Sequence, residues 1–166
     1  YADKNWGGDF TSPWLWISSC NITSLISGKK LNNSAFEAGG GRPKAFGISI
    51  PRKLLIGFYY EGTMYEYNFA RFWNLVKIDF DFEEGDDVHT WHINASNKNS
   101  RMELVLYCKR EEMMLFNYEA PDGQKRHNRL WNGGNGWGEI KLYKKDGTLI
   151  DHVKIENAGC EYGEYC

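Results

Sequence analysis

Apolar residues in this chain come in short runs, mostly β-branched or aromatic, bounded by Gly, Asn, Asp or Pro. No window sustains the i, i+3, i+4, i+7 stripe of an amphipathic helix over three turns, so the pattern predicts strands almost throughout. The expected strands run over residues 15–21, 35–38, 46–50, 54–60, 63–69, 75–82, 90–95, 101–108, 137–143 and 149–156. Two hairpins stand out. Residues 54–69 turn at Glu61-Gly62, and the returning strand alternates Thr63, Tyr65 and Tyr67 against Met64, Glu66 and Asn68. Residues 138–156 turn through Lys144-Lys145-Asp146-Gly147, with chemistry suited to positive φ.

Between Cys108 and Trp137 the alternation breaks, and a crossing loop with one short helical turn over residues 111–116 is expected. No Pro/Ser-rich linker divides the chain and no repeat is visible. The expectation is an all-β, antiparallel fold of about ten strands. It forms one domain over residues 1–166, as one antiparallel sheet curled toward a barrel or closed into a strongly curled sandwich.

Composition narrows the partners. With 20 Lys and Arg against 22 Asp and Glu the net charge is −2, and no basic run exceeds two residues, so nucleic acid is not expected. No apolar run approaches the roughly 20 residues of a membrane-spanning helix. Cys20, Cys108, Cys160 and Cys166 are widely spaced, and reduced thiols are the expectation. No targeting segment is visible; a bacterial source would favour the cytoplasm.

Aromatics make up 16% of the chain, more than a small barrel interior ordinarily uses. Core packing is the simpler reading of any one of Trp16, Phe58, Tyr65 and Trp137, but as a group they favour a pocket for a flat or long apolar ligand. Gly39, Gly40 and Gly41 fit neither a phosphate loop nor a dinucleotide turn; a bulge or a close backbone approach is expected there. His89 and His92, three apart on a strand, face opposite ways, so no metal site is expected. Asp3, Asp9, Glu37, Glu66 and Glu161 have aromatic or glycine neighbours. A carboxyl buried beside rings keeps its proton to higher pH and can act as an acid. For each one, a salt bridge is the plainer alternative.

The opening Tyr1-Ala2-Asp3-Lys4-Asn5-Trp6-Gly7-Gly8, then Phe10, Trp14-Leu15-Trp16 and Ala38-Gly39-Gly40-Gly41, resembles the tocopherol cyclase family in order and spacing. Plant members carry Tyr-Ala-Glu-Lys-Asn-Trp-Gly-Gly, a Trp-x-Trp strand and an Ala-Gly-Gly-Gly run. Looser likeness continues through Gly62-Thr63-Met64-Tyr65-Glu66-Tyr67, Gly138 to Leu142 and Ala158 to Glu161. Asp3 replaces the family's Glu, and residues 88–135 have no clear plant counterpart.

The resemblance implies a calycin-like fold of paired β-barrels, with this chain as the C-terminal lobe of a longer two-lobed protein. The missing N-terminal lobe or a second copy would then be its partner. It further implies cofactor-free, acid-catalysed cyclisation or hydration of a prenylated phenol or quinol, or of another isoprenoid. A carboxylic acid protonates a trisubstituted alkene, aromatic faces shield the tertiary cation and the phenol oxygen closes the ring. On that reading Asp3 is the first acid, Lys4 and Asn5 orient it or the phenol, and Glu161 is a second acid. Trp6, Trp14, Trp16, Gly39, Gly40, Gly41, Tyr59 and Tyr65 would meet the ligand. The expected ligand is a hydrophobic small molecule (a prenylated quinol, a carotenoid or a lipid), with peripheral membrane contact. A lipid-carrying barrel without chemistry and a carbohydrate-binding sandwich are the alternatives.

Overall fold

The computed structural model describes residues 10–45, 48–49, 53–68, 71–119 and 125–163. The initial stretch holding Asp3, Lys4, Asn5 and Trp6 lies outside these residues. The described chain is almost entirely antiparallel β: β1 (Phe10–Ser19), β2 (Ile22–Ser24), β3 (Ala35–Ala45), β4 (Ile48–Ser49), β5 (Lys53–Tyr60), β6 (Thr63–Asn68), β7 (Lys77–Glu84), β8 (Val88–Ser96), β9 (Ser100–Lys109), β10 (Met114–Glu119), β11 (Lys125–Lys144) and β12 (Leu149–Gly163). Two single 3₁₀ turns, Phe72–Asn74 and Arg110–Glu112, are the helical pieces among the described residues.

The sheet runs β6-β5-β3-β1-β12-β11-β9-β8-β7, with β10 on β11, β2 on β12 and β4 on β3. It curls into a nearly closed barrel. The two ends of the strand order approach where Tyr67 Oη and Ser100 Oγ lie 2.9 Å apart and where Asn97 Nδ2 donates to the Glu66 carbonyl at 2.9 Å. The expected hairpins form. At the first turn Glu61 and Gly62 both take positive φ, 44° and 92°, as a two-residue turn between twisted strands requires.

Alternation along each strand sends one row inward. Leu15 and Ile17 of β1, Phe36 and Ala38 of β3, Leu54, Ile56 and Phe58 of β5, Trp91, Ile93 and Ala95 of β8, Met102, Leu104 and Leu106 of β9, and Val153 and Ile155 of β12 are all buried. They join one cluster that fills the barrel. Burying a side chain of this size contributes about 1.5–3 kcal/mol, which makes this the main stabilising term.

Of residues 109–136, expected as a crossing loop, 110–112 form a 3₁₀ turn, and 114–119 and 125–136 are antiparallel strands. Met114 pairs with Asn132, Leu115 with Trp131, Phe116 with Leu130 and Glu119 with Lys125. The expected helical turn over residues 111–116 contracts to Arg110–Glu112, since Met114 onward is already extended. Asn-Gly-Gly-Asn-Gly, which reads as a turn, stays in β11 because register shifts at Gly133/Gly136 and Gly136/Gly138 absorb the surplus residues.

Candidate functional site

The outward face of β11, β12, β1, β3, β5 and β6 carries one continuous cross-strand row. Asn132 pairs with Glu161, Glu161 with Trp16, Trp16 with Gly39, Gly39 with Leu55 and Leu55 with Asn68. Directly opposed residues on antiparallel strands sit about 4.5–5.5 Å apart at Cα, close enough for their side chains to meet. Trp16 is 44% exposed, because Leu15 and Ile17 on either side take the inward positions. Its ring lies over Gly39, where an added Cβ would stand 2.4 Å from Trp16 Cε3. The glycine is thus a seat for the indole, the close backbone approach expected of that run. Glu161 is half-buried and points to the same outer face, between the buried Cys160 and Tyr162.

The row brings Glu161, Trp16 and Gly39 together, but not the whole expected set. Tyr59 is also outward-facing, two rows further along and opposite Met64. Tyr65 points inward, its ring 6.5 Å from that of Tyr60. An interior pocket shared by Trp16, Tyr59 and Tyr65 is therefore excluded by strand alternation. Gly40 pairs with the buried Leu15 and Leu54, and Gly41 with Lys53. Trp14 pairs through its backbone with Gly163. Phe58 is core, and Trp137 stacks on Tyr107 at 5.4 Å. His89 is buried and His92 exposed, as their spacing requires. Glu66 forms a salt bridge with Arg71 at 2.7 Å.

Three features were not read from the sequence. Inside the barrel Phe82, His89, Trp91 and Tyr162 make an aromatic nest, with Phe82 4.8 Å from Tyr162 and 5.0 Å from Trp91. Beside it a cleft of about 500 Å³ opens between Asp86, Asp87 and Val88, the turn Lys109–Glu111, Met113 and Trp131. Lys109-Arg110-Glu111-Glu112 was its sequence signal, hidden within a stretch that looks like loop. Third, the sulfurs of Cys108 and Cys160 are joined as a disulfide rather than being reduced thiols. Cys20 is free and exposed.

Among the described residues no cluster of three or more His, Cys, Asp or Glu side chains could hold a metal ion. The barrel is thus an antiparallel β protein whose outer face sets Glu161 beside Trp16 on Gly39. The chain belongs to the tocopherol cyclase-like family, whose profile it matches over residues 1–164. It is similar to a probable chloroplastic tocopherol cyclase of Oryza sativa subsp. japonica, with 33% identity over 109 residues, covering 66% of this chain and 21% of that protein. It is also similar to the chloroplastic tocopherol cyclase of Zea mays, with 40% identity over 67 residues, 40% of this chain and 13% of that protein. The matched region thus spans about a fifth or less of these relatives. No solved structure matches the chain.

Proposed function

We propose that this chain supplies the acid-bearing aromatic surface of a cofactor-free cyclase or hydratase that acts on a prenylated phenol or quinol, or on a related isoprenoid. The observation that carries the reading is the row that sets Glu161 beside Trp16 on its glycine seat. An indole face stabilises a passing tertiary cation as it would any cation, and a neighbouring carboxyl can both give and take the proton.

In cyclisation a carboxylic acid donates its proton to the less substituted alkene carbon, leaving the tertiary cation. The phenol oxygen then bonds to that carbon and its proton returns to the carboxylate. Nothing is gained or lost, so the product is an isomer of the substrate. In hydration, water takes the place of the phenol oxygen. Asp3 is the first candidate for the acid, from the motif it occupies, and Glu161 the second, from its place beside Trp16.

Incubation with a prenylated quinol in D₂O tests this. Turnover places one deuterium on the protonated carbon, and Asp3→Asn or Glu161→Gln lowers the rate by about 10²-fold or more. Recovery of unchanged quinol, bound as well by both variants as by the wild type, would make the chain a carrier and overturn the proposal.

A further inference from the structure

Asn-Gly occurs twice in the chain, at Asn132-Gly133 and Asn135-Gly136, both on β11. The dipeptide has its own chemistry. The backbone nitrogen that follows an asparagine can attack the side-chain amide carbon, and glycine, with no Cβ and a permissive backbone, obstructs that approach least. Both sites share this chemistry, and the fold separates them.

Asn132 is held from two sides. It pairs with Met114 of β10 and with Glu161 of β12, and its Nδ2 is shielded from solvent. Asn135 lies where β11 carries a surplus residue. Gly133 pairs with Cys160 and Gly136 with Ala158, so the chain advances from 133 to 136 on β11 while β12 passes only from 160 to 158. Pairing with β9 begins at Trp137, and pairing with β10 reaches no further than Asn132. Among the described residues, Gly134 and Asn135 therefore have no partner in the register of β9, β10 or β12, and both are exposed. A Cβ on Gly134 would meet nothing within 4 Å. Gly136 is buried, with the Ala158 and Tyr107 carbonyl oxygens 3.1 and 3.3 Å from where its Cβ would be, so the freedom to reorient belongs to Gly134 and Asn135. An unpaired bulge residue can turn without breaking a ladder.

We propose that Asn135 is a modification site, at which the fold permits spontaneous deamidation while it protects Asn132. The Gly136 nitrogen bonds to Asn135 Cγ and gives up its proton, ammonia leaves, and a succinimide closes. Water then opens the ring at one of its two carbonyls, and no oxidant, reductant or cofactor takes part. One opening leaves an ordinary aspartate. The other leaves an isoaspartate, whose main chain runs through the side-chain methylene. Each product adds a negative charge, and the second also lengthens β11 at the bulge beside the Cys108–Cys160 bridge, where the Gly133 Cβ position is 3.4 Å from Cys160 Sγ. This goes beyond the catalytic reading and does not depend on it.

The test holds the folded protein at mildly alkaline pH, beside a second sample in urea, and follows the tryptic peptide of residues 130–141 by mass spectrometry. That peptide carries both asparagines. Fragmentation assigns the converted residue, and resistance to endoproteinase Asp-N distinguishes isoaspartate from aspartate. In urea both asparagines should convert. In the folded protein Asn135 should convert roughly tenfold or more faster than Asn132, which must first be released by local opening. Asn135→Ser should leave the peptide from the folded protein unconverted. Conversion of Asn132 as fast as Asn135 in the folded protein would overturn the proposal, as would an unchanged Asn135 after a time in which the urea sample converts both.

Discussion

Asp151 is a buried carboxylate at the start of β12, and its donors come from three directions. Ser24 Oγ and the His152 amide each donate to Oδ1 at 2.8 Å, and the Tyr60 hydroxyl donates to Oδ2 at 3.0 Å. Tyr60 thereby ties β5 to β12 across the barrel. Burial first, and then the hydrogen bond to Asp151, push the Tyr60 phenol up to about 12. Burial pushes Tyr67 up to about 12 as well, against a smaller opposing effect of Ser100. An unfolded chain releases these protons near 10. Between pH 10 and 12 the unfolded state therefore binds fewer protons than the folded one, and stability falls as pH rises. Below pH 10 the contribution is complete. A Tyr60→Phe/Tyr67→Phe variant should melt lower at pH 7, each lost hydrogen bond costing about 1 kcal/mol. Its melting temperature should then decline less steeply from pH 10 to 12. Thermal melts across that window decide it, and equal slopes would remove the two phenols from the account.

Among the elements, β3 shows what a sequence can and cannot say about a site. A strand over residues 35–38 was expected, and a bulge or close backbone approach at Gly39, Gly40 and Gly41. Which neighbour was hidden, because a cross-strand partner is a matter of register, and the residues from Trp16 to Gly39 in sequence do not set it. Gly39→Ala should force the Trp16 ring from its seat, since a Cβ there would stand 2.4 Å from one ring carbon and 2.9 Å from the next. The expected result is a red-shifted indole emission and a loss of about 1–3 kcal/mol in denaturant unfolding. An unchanged spectrum would mean that the ring is held elsewhere.

The same limit explains the other departures. Strands with an uninterrupted period of two, such as β5, β8 and β9, were legible almost to their ends. β11 was only half legible because glycines at its centre read as a turn, whereas in the barrel the strand continues through them, with Gly136 and Gly138 closely approached by neighbouring backbone. A Cβ on Gly138 would stand 2.3 Å from the Val105 carbonyl oxygen. Glu161 was singled out for its neighbours in sequence, yet its partner Trp16 lies 145 positions away and was named for a different motif. Asp3 remains an expectation from its motif alone.

At the scale of the whole molecule, β12 joins two groups of strands: its last third holds β1, and through it β3, β5 and β6, while β11 carries β9, β8 and β7. Cys108 and Cys160 bridge this seam. β9 and β12 flank β11 on opposite edges, where two strand spacings would keep their Cα atoms more than about 9 Å apart. The Cα–Cα distance is 6.8 Å because the shifted register of β11 at Gly133 and Gly136 lets its neighbours converge. Gly133 is itself closed in, with Met113 Cγ 3.3 Å and Cys160 Sγ 3.4 Å from where its Cβ would be. The bond links residues 52 apart, so in the unfolded chain it removes loop-closure entropy worth about 4 kcal/mol. Cys108→Ser/Cys160→Ser should therefore lower the melting temperature by on the order of 10 °C. A strong reductant should have the same effect on the wild type and none on the variant. Alkylation of the unfolded protein without reductant should label neither Cys108 nor Cys160. Labelling of both, together with a melt insensitive to reductant, would return the pair to free thiols and leave the seam to the packing of Tyr162, Trp91 and Phe82.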